Sequence, residues 1–255
     1  MKDEKTKAVI SLFDLTGEAV KPWAEAGYDC YIFDAQHPDG ITFSAQRYKS
    51  RSTLLINTVG GDASTWAKPI ARIMEVYDVQ MIFGFPPCTD LAISGAGWFK
   101  AKAEANPNYL AEAMALVYLV RDIGEQYNVP YMIENPVSVI SSEWRKPDHI
   151  FQPCHYGQYL PEDDVSPFPS VIPARVAFTK KSCLWTGNWL VMPEARGVEP
   201  VKYQDRNGLN YSGPAWKLGG RSLRTKNIRS ATPRGFARAV FQANAYSDNL
   251  TLYMP

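Results

Sequence analysis

Cysteine and histidine are scarce in this chain, and their scarcity removes whole classes of function. Four cysteines and three histidines are spread over 255 residues. Cys30, Cys88, Cys154 and Cys183 form no Cys-x-x-Cys pair, so neither a disulfide framework nor a zinc site is expected. His37, His149 and His155 also lack ligand spacing. Although His149 and His155 flank Cys154, that segment reads as loop, and no metal is expected. Long apolar runs are missing too: nothing approaches the ~20 residues that span a bilayer. The opening Met1-Lys2-Asp3-Glu4-Lys5 is mixed in charge and leads straight into an apolar strand, unlike a signal peptide. The expectation is a cytoplasmic protein without membrane contact.

Acidic residues are absent over one long stretch. The net charge is only +1, yet from Arg206 to Ser247 there is no Asp or Glu. That stretch carries Arg206, Lys217, Arg221, Arg224, Lys226, Arg229, Arg234 and Arg238, with Tyr211 and Trp216 among them. A solvated basic face is the ordinary explanation. Strict exclusion of carboxylates over this length favours contact with a phosphate backbone or a nucleotide, the aromatics offering a stacking surface.

What is present reads as one large α/β domain. Ala8–Phe13, Tyr28–Phe33, Thr53–Asn57, Met81–Phe85 and Pro130–Ile133 are short apolar runs bounded by turn residues, as strands are. The third of them suits a sheet edge. Helices are expected over Val20–Ala26, Trp66–Tyr77 and Tyr109–Gln126; in the last, Leu110, Met114, Val117, Val120 and Ile123 recur at helical spacing. This alternation predicts a mostly parallel sheet with helices on both faces. Beyond Val137 prolines punctuate a loop-rich stretch, Ser182–Trp185 is a further strand candidate, and Pro233–Ala245 a final helix. Neither an internal repeat nor a low-complexity tract is found. The expected division is a main domain of 1–187 plus 226–255, with a small basic insertion at 188–225.

The most informative segment is Met81-Ile82-Phe83-Gly84-Phe85-Pro86-Pro87-Cys88. Two prolines stop the strand abruptly, and the residue delivered there is a cysteine. Most free cysteines are small buried hydrophobes. A rigid loop at the carboxyl end of a parallel strand is instead where open α/β sheets hold ligands, which favours Cys88 as a nucleophile. Other strand ends carry Gly17, Asp34, Asp62 and the pair Glu134-Asn135. Singly these are ordinary turn residues, and Glu134-Asn135-Pro136 alone would be a capping turn. In a parallel sheet, however, the tips line one edge and face one cleft, and an acid after the second strand can bind ribose hydroxyls.

The order of these motifs resembles the cytosine-C5 DNA methyltransferase family, particularly its compact bacteriophage versions. Leu12-Phe13-Asp14-Leu15-Thr16-Gly17 looks like the loop that cradles S-adenosylmethionine, and Gly84-Phe85-Pro86-Pro87-Cys88 through Ser94-Gly95 is similar to the loop of the nucleophile. Ile133-Glu134-Asn135-Pro136 resembles the motif that holds the target base, and Arg229-Ser230-Ala231-Thr232-Pro233-Arg234 a late arginine motif. Lys180-Lys181-Ser182-Cys183-Leu184-Trp185 sits where the family usually has arginine. The resemblance implies a Rossmann-like methyltransferase fold and cofactor contacts from Phe13, Thr16, Gly17, Asp34, Asp62 and Pro86. It implies Cys88, Glu134, Asn135 and Lys181 at the chemistry, and Ser94, Arg221, Arg224, Arg229 and Arg234 on DNA in a bacterial host's cytoplasm. Two departures stand out. Leu15 and Glu18 occupy positions where glycines are common, and only about 188–224 is left for target recognition, which suggests a protein partner for target choice.

The implied chemistry needs these groups. Carbon 5 of cytosine is a poor nucleophile until a thiolate adds at carbon 6, and a free thiol, with a pKa of ~8.5, gains from a positive environment. Glu134, protonated, would hydrogen-bond ring N3, Asn135 would position the loop, and Lys181 would steady the pyrimidine carbonyl or a phosphate. In a duplex the base must leave the stack first. Two alternatives stay open: a pyrimidine mononucleotide acceptor, and a non-catalytic nucleic-acid-binding protein on the same scaffold.

Overall fold

A computed structural model describes residues 5–47, 53–204, 208, 210–212 and 222–245. Its centre is an eight-stranded mixed sheet in the order β3-β4-β2-β1-β5-β6-β8-β7. The strands are β1 (Lys7–Leu12), β2 (Asp29–Phe33), β3 (Ile41–Arg47), β4 (Thr53–Val59), β5 (Asp78–Gly84), β6 (Tyr131–Pro136), β7 (His149–Phe151) and β8 (Ser182–Gly187). β4, β2, β1, β5 and β6 run parallel, while β3, β8 and β7 are antiparallel additions at the two ends. The expected edge position of β4 is taken by β3, and the stretch around His149, read as loop, begins β7.

Alternation along β1 shows why helices cover both faces. Ala8, Ile10 and Leu12 enter one apolar core with Ile70 and Ile73 of α2 (Ala67–Val76) and Met114, Val117, Val120 and Ile123 of α4 (Tyr109–Tyr127). Val9 enters the other, with Trp23 of α1 (Lys21–Glu25) and Phe236, Ala239 and Val240 of α7 (Arg234–Asn244). A period of two in the strand therefore feeds two helical layers. Three further helices are described: α3 (Phe99–Ala105), α5 (Ile140–Glu143) and α6 (Leu223–Ser230). The architecture is compatible with a Rossmann-like fold.

Register decides where the strand tips stand. Leu12 pairs with Phe33 and with Gly84, Phe33 with Val59, and Gly84 with Ile133. The residues that follow, Phe13, Asp34, Gly60, Phe85 and Glu134, are consequently level along one edge. The strand order reverses between β1 and β5, the position at which open α/β sheets leave a crevice. Gly84 lets α4 approach here, since a Cβ on it would lie 2.5 Å from Val120 Cγ2.

Over its first part the expected insertion is hydrogen-bonded to the main body. Val191 N–H donates to Asn244 Oδ1, Gln158 N–H to the Arg196 carbonyl, Val198 N–H to the Cys154 carbonyl and Val201 N–H to the Ala177 carbonyl. These bonds strap 191–201 to the body. A small antiparallel pair follows, β9 (Tyr203–Gln204) with β10 (Asn210–Tyr211). The boundary expected at 225/226 falls inside α6. No described helix is long and apolar enough to cross a membrane.

Candidate functional site

Asp14, immediately beyond β1, organises the first loop. Its buried carboxylate accepts from Ser11 Oγ at 2.8 Å, Thr16 N–H at 3.0 Å, Thr16 Oγ1 at 3.3 Å and Gly17 N–H at 2.8 Å. An Asx-type turn results, with Phe13 at φ 60° and Gly17 at φ 68°. The Phe13 ring lies 5.1 Å from that of Trp66, which fixes the unusual backbone in place. Burial pushes the Asp14 carboxyl up despite these hydrogen bonds. Thr16 is exposed and Gly17 buried. Asp34, half-buried, accepts from Gln36 N–H at 2.8 Å. Exposed Asp62 accepts from Ser64 N–H at 2.9 Å, and its bonds with Ser64 hold it below the usual carboxylate range.

The second loop begins at Phe85. Pro86 is buried, and its carbonyl accepts from Asn135 Nδ2 at 2.9 Å, so the tip of β6 braces the tip of β5. Two further backbone bonds join the loops: Ile93 N–H to the Val137 carbonyl at 3.0 Å, and Val139 N–H to the Leu91 carbonyl at 2.9 Å. Cys88 opens a short 3-10 turn and is exposed. Partial desolvation raises its thiol pKa, and the neighbouring Glu134 raises it further. Lys180 and Arg229 act in the opposite sense. The thiol is thus reachable, with a carboxylate and two cations close enough to tune it.

Lys180, not Lys181, is the lysine of this group. Its Nζ lies 3.8 Å from Glu134 Oε1 and donates to the Arg229 carbonyl at 3.3 Å. Lys181 is exposed, and its charge bears on Cys183 instead. Eight buried side-chain polar atoms lack a hydrogen-bond partner among the described residues, and four belong to β6, the turn after it and the start of β8: Glu134 Oε1, Asn135 Oδ1, Ser138 Oγ and Ser182 Oγ. Ser182 is the register partner of Pro136, which explains the clustering. Such a group invites a polar ligand, because unsatisfied buried acceptors are costly.

The remaining candidates divide. Arg224 and Arg229 are exposed on α6, and Ser94 is exposed on the loop after Cys88. Arg234 is committed elsewhere: it forms a fork with Asp164 at 2.8 and 2.7 Å, a bidentate pair that ties α7 to the loop-rich stretch. Arg221 lies outside the described residues, as does Trp216. The sequence pattern does not mark Glu18 as a site residue, yet its Oε2 is buried without a hydrogen-bond partner among the described residues, and it shares a tight crevice with Lys180, Arg229 and Arg234. The motifs do not mark the roles of Asp14 and Lys180 either; the Asp-x-Thr-Gly spacing is a usable sign of the first.

A wider cleft of about 690 Å³, lined by Lys5, Tyr77, Tyr127 and Trp189 among others, opens at the amino ends of β5 and β6, the opposite edge from Cys88. No group of three or more His, Cys, Asp or Glu among the described residues could hold a metal ion. Comparison with protein-family models and with curated proteins gives no match.

Proposed function

We propose that this chain transfers a methyl group from S-adenosylmethionine to carbon 5 of cytosine in DNA through a covalent cysteine adduct. One observation carries the reading: adjacent strand tips set an exposed thiol within the field of a carboxylate, and Asn135 ties the two loops together at Pro86. In this reading Cys88 Sγ adds to carbon 6, while Glu134 holds ring N3 from the other side. Lys180 and Arg229 favour the thiolate, and Lys180 supplies a positive charge to the pyrimidine carbonyl or an adjoining phosphate. Once carbon 5 carries the methyl, loss of its proton to water would expel the thiolate and restore the ring.

The first loop fits the cofactor. Its left-handed Phe13 and Gly17 shape the crevice at the strand-order reversal, and the carboxylate of Asp34 stands at the tip of β2, where ribose hydroxyls are bound in this kind of fold. The orphaned Glu18 Oε2 adds an acceptor at the crevice wall. When bound, S-adenosylmethionine supplies an electrophilic sulfonium methyl.

The decisive experiment is covalent trapping on DNA containing 5-fluorocytosine with S-adenosylmethionine present. Wild type should form a denaturation-resistant adduct, and Cys88→Ala should not. Mass analysis should find 5-methylcytosine in DNA of a host lacking its own cytosine methylation once the chain is expressed there. An adduct with Cys88→Ala, or no methylated nucleoside, would overturn the proposal.

A further inference from the structure

We propose that the acceptor is cytosine in single-stranded DNA, and that Trp98 is the platform on which a neighbouring base stacks. This rests on the methyl-transfer reading and goes beyond it. Trp98 belongs to the loop that carries Cys88, is 64 % exposed, and makes no ring contact or hydrogen bond among the described residues. Of the other described tryptophans, Trp23, Trp66 and Trp185 are buried and Trp144 packs on Tyr118. Trp189 lines the cleft at the far edge.

Trp98 does not stand alone. Ile93 is 51 % exposed and Val137 39 % exposed, and the bond from Ile93 N–H to the Val137 carbonyl holds them side by side at the mouth of the cleft. Lys102 pins the loop by donating to the Thr89 carbonyl at 2.6 Å and pairing with Asp90 at 2.7 Å. A fastened loop presenting unspent apolar and aromatic surface on the segment that follows an exposed thiol serves something larger than one pyrimidine ring. Charge names the occupant: Lys100 is exposed in the first turn of α3, directly after the loop, and Arg224 and Arg229 are exposed on α6, so a phosphate chain has cations to meet. Aromatic stacking combined with a basic track is how proteins hold single strands without reading a groove.

Duplex recognition asks for a surface that reaches around the double helix. The strap at 191–201 is hydrogen-bonded to the body and so is not free to do this. An unpaired cytosine also needs no extraction from a stack.

The test is anisotropy titration of a labelled twelve-nucleotide strand with one cytosine, alone and hybridised, against wild type, Trp98→Ala, Trp98→Phe and Trp189→Ala. The single strand should bind more tightly than the duplex. Trp98→Ala should weaken it by about tenfold or more, in keeping with the loss of one base–aromatic stack. Trp98→Phe should recover most of that loss, and Trp189→Ala should match wild type. Tighter duplex binding, or a Trp98→Ala protein that holds the strand as wild type does, would overturn the inference. Adduct formation on 5-fluorocytosine versions of the same strands is read separately. Its failure with wild type removes the methyl-transfer reading, and the binding ranks still decide the strand.

Discussion

Asp14 offers the sharpest test of how the first loop is held. Replacing it with Ala strips acceptors from Ser11 Oγ and Gly17 N–H, both buried, and from Thr16 N–H, which lies on an exposed residue where water can substitute. Two orphaned buried donors at about 1–3 kcal/mol each predict a loss of about 2–6 kcal/mol in folding stability. Asp14→Asn keeps one oxygen for Thr16 and Gly17, and its amide can donate to Ser11 once that hydroxyl turns, so its loss should be much smaller. The pH dependence supplies an independent sign. The folded carboxyl is raised above its ordinary value of 3.8 by burial. Stability from this group is therefore fully present below 3.8 and falls as pH rises through the folded value, because the folded state holds its proton longer than the unfolded one. Urea titrations of wild type and Asp14→Asn should give a stability difference that favours wild type most in acid, declines with pH and then levels off. Equal losses for Asn and Ala, or a difference that climbs with pH, would refute the account.

Other predictions follow from the cleft and the packing around it. Alkylation of Cys88 by iodoacetamide should rise with pH into the alkaline range, since burial and Glu134 raise the thiol pKa. Glu134→Gln should shift that profile to lower pH and Lys180→Met to higher pH, and mass spectrometry of the Cys88 peptide reads both; unmoved profiles would deny that these charges reach the sulfur. Removing Arg234 or Asp164 singly should cost about 3 kcal/mol, as breaking a half-buried bidentate pair does, and a double-mutant cycle by urea unfolding should show clear coupling. Gly84→Ala should destabilise by about 1–3 kcal/mol through overlap with Val120, and Val120→Ala should recover part of it by thermal unfolding.

Much of this architecture was legible because local chemistry and tertiary environment agree. The parallel strands are short apolar runs cut off by Gly, Pro or Asp, and α4 announces itself by its spacing, so β1, β2, β5, β6 and α4 fall close to where the pattern sets them. β3 and β7 escaped for opposite reasons. Ile41–Arg47 mixes polar and apolar residues at a sheet edge, while His149–Phe151 is only three residues long and exists through its pairing with β8. α6 was hidden in the basic stretch because Leu223–Ser230 is polar almost throughout; only Thr225 and Ile228 are buried.

The two lysines show where residue types stop being informative and register begins. Lys180 and Lys181 are chemically identical, and a motif locates the pair but not the member that matters. Strand alternation makes the choice. Met132 lies in the core beneath α1 and α7, so Glu134, two residues on, projects to that same face. Opposite it, Leu184 is in that core as well, and counting back in twos reaches Ser182 and then Lys180. Lys181 steps with Cys183 and Trp185 into the other core's face. The partnership of Lys180 with Glu134 thus depends on β6 and β8 pairing antiparallel with Glu134 opposite Leu184. A slip of one residue would exchange the lysines and leave the carboxylate beside Cys88 without its cation.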